Sequence, residues 1–531
     1  MINARPDVTP PCHHALADAR DDQTLARAGL QQSDGSAPGT SSGVCAFARR
    51  EADAVVLGRD PSGLCDLYWH RSKDGQLSYA NSLDALLSQP GVPQRLSRRS
   101  LHEYLRFGDL AAPNTLFEDI HAVEPGQRLR VDAAGVEVLS WPQPAESAAS
   151  AAGATDLDDA INTLDGLLQR SVGAALNAAL RPAAFLSGGI DSSLICAIAA
   201  RVRPDITAIT VGFDGAAHDE SALAQRVAAH LGLQHQVLRF SHDELVAAFE
   251  RLVQYMDQPT ADPATPATVL AFDHVRARHD VVLDGTGADE AVGALPPRHV
   301  RVAVQYASLL PPALRRSLLR PMRAVAPLAR YAPIIDFEHP ADTMIRWRGF
   351  TRIEIEALCG EPVSFEHTRF YQTFGRFARG AHFERYSALV DAMPSERLTQ
   401  ATRASPAPVR YPFCDAEVDL YIRRLRTDWR HSPMSPKRIL RELLARYVPR
   451  GLWEAPKHGF DFPLQAFLQT RDFALVRCYL DPDRWRTTNV LPAEGVWRYA
   501  MKFMAGDMSQ TFRVWQLVVL GAWLHKHKDL H

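Results

Sequence analysis

Two rhythms of apolar and polar residues divide the chain. From Val44 to about Val138 the apolar stretches are short, among them AVVLG, LCDLYWH and QLSYA, and turn signals such as RDPSG and KDGQ separate them. That pattern predicts a small strand-rich domain. Residues 142–159, PQPAESAASAAGATDLDD, combine Pro, Ser, Ala and Gly with almost no large apolar side chain, the composition of an interdomain linker. The boundary is expected near residue 150, giving domains 1–149 and 150–531.

Beyond the linker the period becomes helical: Ile161, Leu164, Leu167, Leu168 and Val172 share one face. AAFLSGG then reads as a buried strand entering a tight turn, with LICAIAARV as the helix that follows. Residues 206–213 and 280–285 read as further buried strands, and SALAQRVAAHLGLQHQ as an intervening helix. Strands alternating with helices predict a parallel sheet flanked by helices. The remainder reads as mostly helix, broken at PPA, SPAP and SPMSP, and no internal repeat is present.

Composition narrows the classes. With 531 residues, 46% hydrophobic and 23% charged, the chain can build two or more cores. Its 59 basic and 61 acidic side chains leave a net charge of −2, which favours neither nucleic acid nor an anionic membrane as the main partner. Small molecules or a peptide fit better. The seven cysteines stand singly without a CxxC pair, as in a reducing cytoplasm. No apolar run approaches the ~18 residues of a membrane span, and the start, MINARPDVTPPCHH, lacks a signal peptide's apolar core. A soluble, cytoplasmic protein is expected. Residues 1–43 read as an irregular loop to which no function is assigned.

The stretch Phe185-Leu186-Ser187-Gly188-Gly189-Ile190-Asp191-Ser192-Ser193, between a strand and a helix, suits a polyphosphate. Two glycines let the backbone approach an anion, while Ser187, Ser192 and the helix N–H groups supply donors. Asp191 then becomes a magnesium ligand. A Walker loop is excluded because no GKS or GKT follows. The bland alternative is a Gly-Gly turn with a Ser cap before a helix.

This stretch resembles the PP-loop of the ATP-pyrophosphatase group, in the branch that includes asparagine synthetase, β-lactam synthetase and lasso peptide cyclases. Ile209 to Asp214, with Asp219-Glu220, is similar to that group's adenine-binding strand and the segment after it. Asp257-Gln258-Pro259 with Asp262 resembles its acidic-Pro loop, and Leu283 to Glu290 its second phosphate-side loop. Arg410 to Asp415 resembles its RxPFxD stretch and reads as architectural. Lys437 to Arg441 and Pro456 to Phe460 resemble its two lysine motifs.

The resemblance implies ATP binding by Leu186, Ser187, Gly188, Gly189, Asp191, Ser192, Val211, Gly285 and Lys437. It implies Mg2+ held by Asp191 and Asp289, and catalytic roles for Lys437 on the phosphates and Lys457 on the acyl-transfer step. The implied fold is α/β: a strand-rich, glutaminase-like domain of the N-terminal-nucleophile type, then a PP-loop synthetase domain with a parallel sheet flanked by helices.

Arg59 to Trp69, Leu77 to Leu87 and Leu101 to Val131 resemble the glutaminase domain of asparagine synthetases. In a working domain of that kind cysteine directly follows the initiator Met, but position 2 is Ile2, and Cys12 is a poor substitute. The expectation is a degenerate domain that releases no ammonia. Asparagine synthetases also carry a glutamate three residues before the second magnesium aspartate, where Thr286 stands here. An amine internal to the substrate needs such a base less, because a peptide α-amine titrates near ~7.7–8.0.

The resemblance therefore implies a lasso peptide cyclase. Such an enzyme adenylates an Asp or Glu side chain of a precursor peptide and closes a macrolactam with the N-terminal amine, beside a leader peptidase and a leader-binding protein. A β-lactam synthetase-like enzyme is the closest rival; glutamine-dependent asparagine synthesis and a non-catalytic peptide-binding scaffold are the others. Tyr255, Asp257 and His458 are candidates to take the amine's proton.

Overall fold

The computed structural model describes residues 46–51, 53–141, 154–213, 220–325, 332–345, 349–377, 382–392, 397–432, 435–454 and 462–527. Residues 1–43, most of the linker, Asp214, Asp219, Lys457 and His458 lie outside the described residues.

The N-terminal unit holds two antiparallel sheets. Strands β1 (Ala46–Arg50), β2 (Ala54–Arg59), β3 (Tyr68–Arg71), β4 (Leu77–Ala80), β5 (His121–Ala122), β6 (Gln127–Asp132) and β7 (Val136–Ser140) pair as β1-β2-β6-β7 and β4-β3-β5. Alternation along β6 sends Leu129 and Val131 inward, where they pack with Ala46, Ala48, Leu57, Leu67 and Val123. Helix α1 (Arg98–Phe107) is capped by the Ser97 side chain and ended by Gly108 at φ 81°. Every residue of α1 from Ser100 to Phe107 is buried, since it lies between the two units.

In the C-terminal unit, α2 (Leu157–Leu176) buries Ile161, Leu164, Leu167, Leu168 and Val172, the positions its spacing singles out. There follow β8 (Pro182–Phe185), α3 (Ile190–Val202), β9 (Thr207–Gly212), α4 (Ser221–His230), β10 (Gln234–Arg239), α5 (His242–Tyr255), α6 (Thr265–Arg278), β11 (Val281–Leu283) and α7 (Ala288–Val292). Then come α8 (Arg298–Ala307), α9 (Pro312–Ala324), α10 (Arg397–Ala404), β12 (Val409–Arg410), α11 (Arg438–Ala445) and α12 (Thr511–Lys526). The sheet order is β10-β9-β8-β11-β12, every pairing parallel.

One expectation needs correcting. The helix expected through LQHQ stops at His230; Gly232, at φ +68°, turns the chain, and Gln234 onward forms the edge strand β10. Its largely exposed residues hide any two-residue alternation. The units share one core, in which Tyr68, Leu83 and Phe117 belong to the same cluster as Phe249, Trp515 and Trp523. Among the described residues no helix is long and apolar enough to cross a membrane.

Candidate active site

Strand β8 delivers the loop Ser187-Gly188-Gly189 to the first turn of α3. Gly188 sits at φ +78°, and a Cβ there would lie 2.8 Å from the Ala224 nitrogen, so the loop lies tight against α4. The loop is organised from within. The Ser187 amide donates to Ser192 Oγ (3.1 Å), the Gly189 amide to Ser187 Oγ (3.2 Å), and the two hydroxyls share a 3.0 Å bond. Gly189 is the N-cap of α3 and brings no side chain to it, which leaves that positive end accessible to an anion.

A second loop closes on this turn. At Gly285, just after β11, a Cβ would lie 2.9 Å from the Ser192 nitrogen and 3.0 Å from the Asp191 carbonyl carbon. Gly287, at φ +101°, is pressed against Cys414, whose thiol is directed at the Thr286 carbonyl (3.7 Å). Burial and nearby acids push the Cys414 thiol well up, so it packs as a neutral group. This agrees with an architectural reading of the Arg410 to Asp415 stretch.

The close approach of the loops brings Asp289, on α7, beside Asp191. Lys437, the N-cap of α11 held at φ 55°, joins them: its ammonium donates to Asp191 and to Asp289 Oδ1 at 2.8 Å. The lysine side chain is 9% exposed. Burial works against its charge, but the two carboxylates outweigh burial and hold its pKa above the ordinary lysine range. A cation thus already occupies the space between the two carboxylates expected to hold Mg2+. Two carboxylates completed by phosphate oxygens and water form a typical magnesium site, and the donors present fit it.

Leu186, buried, and Val211, half-buried, lie toward the C-terminal ends of adjacent parallel strands, the edge where such sheets bind ligands. Thr210, within the stretch that resembles the adenine-binding strand, donates to the Leu186 carbonyl (2.5 Å) and meets at 2.8 Å the Nε2 of His235, to which the sequence assigned no role. Thr286 receives no role as a base. Its amide and hydroxyl both donate to Asp284 Oδ1, at 2.8 and 2.6 Å.

Asp257 is engaged by other side chains. It is 1% exposed, its Oδ1 accepts from Ser82 (3.0 Å), and its Oδ2 pairs with Arg403 (2.8 Å). Burial pushes its carboxyl pKa up while Arg403 opposes the shift. A carboxylate engaged on both oxygens is poorly placed to accept the amine's proton. Tyr255 stands 44% exposed at the end of α5.

Residues 163–525 match the family model "Asparagine synthase", and residues 33–142 match "Glutamine amidotransferase domain". The chain belongs to the asparagine synthase family. It is 26% identical over 489 residues to a Mycobacterium bovis protein provisionally named asparagine synthetase [glutamine-hydrolyzing], a match covering 88% of this chain and 74% of that one. Asparagine synthetase [glutamine-hydrolyzing] 1 of Bacillus subtilis is 23% identical over 484 residues, 89% of this chain and 75% of its own. The solved NMN synthetase of Francisella tularensis overlaps 26% of this chain and 58% of its own, at 17% identity and a TM-score of 0.20. Membership in the asparagine synthase family makes the protein an ATP-dependent, amide-forming ligase.

Proposed function

We propose that this enzyme closes a macrolactam on a ribosomal precursor peptide, in the manner of a lasso peptide cyclase. ATP lies with its phosphates on the Ser187-Gly188-Gly189 loop, near Lys437, and its base against Leu186 and Val211. Asp191 and Asp289 would hold Mg2+, which would neutralise phosphate charge. A side-chain carboxylate of the peptide attacks the α-phosphate and releases pyrophosphate. The peptide's N-terminal amine then attacks the acyl-adenylate, AMP leaves, and the amine's proton passes to a base. Lys457 steadies the charge that develops in that second step. A leader peptidase would expose the amine, and a leader-binding protein would present the substrate.

The observation that carries this reading is Thr286. Residue 286 itself brings no carboxylate to the second loop, and its hydroxyl is tied to the neighbouring Asp284. A peptide α-amine, partly free at neutral pH, needs that group less.

The test is mass spectrometry of a leaderless precursor-type peptide incubated with enzyme, ATP and Mg2+, alongside Asp191→Ala. A product lighter by one water, with AMP formed and both lost in the variant, supports the cyclase. AMP released only with a small β-amino acid would shift the assignment to a β-lactam-type synthetase. No AMP with either substrate would leave a binding scaffold.

A further inference from the structure

Strand β9 outlasts its neighbour β8. The two pair in parallel with Phe185 opposite Ile209, and the last rung runs from the Leu186 amide to the Ile209 carbonyl at 2.8 Å. Continued in that register, the next rungs would join the Val211 amide to the Leu186 carbonyl and the Gly188 amide to the Val211 carbonyl. Among the described residues neither is made. The amide and carbonyl of one strand residue point the same way, so both backbone groups of Val211 are left on the side from which β8 turns away into the Ser187-Gly188-Gly189 loop.

A side chain stands in for the missing rung: the Leu186 carbonyl accepts from the Thr210 hydroxyl (2.5 Å). A hydroxyl has one hydrogen and a carbonyl has none, so that bond uses the hydrogen of Thr210. The 2.8 Å contact with His235 must then run from Nε2–H to the threonine oxygen. His235 stands opposite Ala208, two residues before Thr210, so imidazole and hydroxyl share one face of the sheet. Thr210 is buried, and burial holds the His235 pKa below the ordinary histidine range, which keeps the imidazole neutral at neutral pH.

Building on the proposed placement of the ATP base against Val211, we propose that Thr210 and His235 are positioning residues. They hold the Leu186 carbonyl away from the Val211 amide and so keep the Val211 backbone free to read adenine. An amide donor and a carbonyl acceptor on one residue match an acceptor ring nitrogen beside a donor amino group, which adenine presents. Guanine carries an acceptor oxygen in place of that amino group. Without the Thr210 hydroxyl, the Leu186 carbonyl would turn to the Val211 amide, because a buried acceptor left unpaired is costly. The two strands would then close by one rung and remove the donor that the base needs. His235 sets the direction of the hydroxyl, since its N–H engages the threonine oxygen and leaves the hydrogen aimed at Leu186.

Calorimetric titration of the full-length protein with ATP, GTP and inorganic tripolyphosphate, each with Mg2+, tests the proposal. The parent is expected to bind ATP about tenfold more tightly than GTP, or better. Thr210→Val should weaken ATP by about tenfold, as loss of one or two hydrogen bonds to the base does. Tripolyphosphate should stay within about twofold, because the phosphate loop keeps its own hydrogen bonds. Thr210→Ser, which restores the hydroxyl, should recover ATP affinity. His235→Phe should weaken ATP by about threefold, and His235→Gln, whose amide can donate from a similar place, should recover most of that. The His235 pair gives an independent reading should Thr210→Val fold poorly.

Unchanged ATP affinity and unchanged preference over GTP in Thr210→Val and His235→Phe would overturn the proposal. Equal loss of ATP and tripolyphosphate would overturn it as well, since Thr210 would then be shaping the phosphate loop and not the base site. A parent that binds ATP and GTP alike would instead refute the placement of the base at Val211, and the roles of Thr210 and His235 with it.

Discussion

Replacing Lys437 by methionine should tighten metal binding while slowing the reaction. In the structure the ammonium bridges Asp191 and Asp289, so a divalent cation entering between them must displace it from both. A hydrogen bond to a charged group contributes about 1.5–3 kcal/mol. The ammonium makes two such bonds and recovers about half of their worth on reaching water, which leaves a net opposition of about 1.5–3 kcal/mol, or about 10- to 150-fold in affinity. Methionine fills a similar volume without the charge. Isothermal titration with Mg2+, or paramagnetic resonance with Mn2+, in the absence of nucleotide should therefore show Lys437→Met binding the ion at least about tenfold more tightly. AMP formation at saturating ATP and Mg2+ should fall about 10²- to 10³-fold, because a positive group aimed at developing phosphate charge has been removed. Unchanged or weaker metal binding in the variant would refute the idea that lysine and metal compete for the same carboxylates.

Gly285→Ala should abolish ATP-dependent AMP formation while the protein stays folded, because its Cβ would drive the second loop off the first turn of α3; nucleotide protection in a thermal-shift assay reads the loss. Burial raises the Glu103 pKa from 4.5 to about 7 against hydrogen bonds from Asn114 and the Ala111 amide. Glu103 is then protonated in the fold where the unfolded chain has lost its proton, so stability should fall by about 3 kcal/mol as pH rises from ~4.5 to ~7. Glu103→Gln should remove that slope, and parallel curves of melting temperature against pH for the two proteins would contradict the assignment. Arg403→Met should destabilise by about 3–5 kcal/mol by stranding buried carboxylates. Adding Asp257→Asn should restore part of the loss in a double-mutant cycle, and strict additivity would count against direct pairing.

The PP-loop was legible because its chemistry is contiguous: strand, two glycines, two serines and an aspartate follow one another, and the local fold needs nothing from elsewhere. The burial of α2 was legible for a similar reason, since helical spacing alone names its inner face. What failed to show was anything set by distant pairing. Strand β10 is an exposed edge, so burial imprinted no alternation on it. Arg403 lies in RLTQATRA, which reads as an ordinary solvated helix, yet it is 7% exposed because its partner Asp66 is 337 residues away in sequence. The family resemblance implies phosphate as the partner of Lys437. Its position between two carboxylates appears only when three separate segments are brought together.

Those distant pairings decide what the N-terminal unit does for the synthetase. The loop from Asp257 to Asp262 is held from both sides. From the N-terminal unit, Ser82 donates to Asp257, Gln258 Oε1 accepts from the Leu116 amide (2.8 Å), and Thr260 donates to Asp109 (2.9 Å). From the C-terminal unit, the indoles of Trp515 and Trp523 donate to the carbonyls of Ala261 and Asp257, at 2.9 and 3.0 Å. Arg403 crosses the seam, pairing with Asp66 at 3.1 Å and with Asp257, while Arg59 holds the other Asp66 oxygen at 2.8 Å. Buried polar groups satisfied in this way are costly to strand, so the loop's conformation depends on the N-terminal unit being present. Removing that unit would also strip apolar cover from a core that includes Trp515 and Trp523. The unit is therefore part of the synthetase's own scaffold, and that role would preserve its fold with or without glutamine hydrolysis.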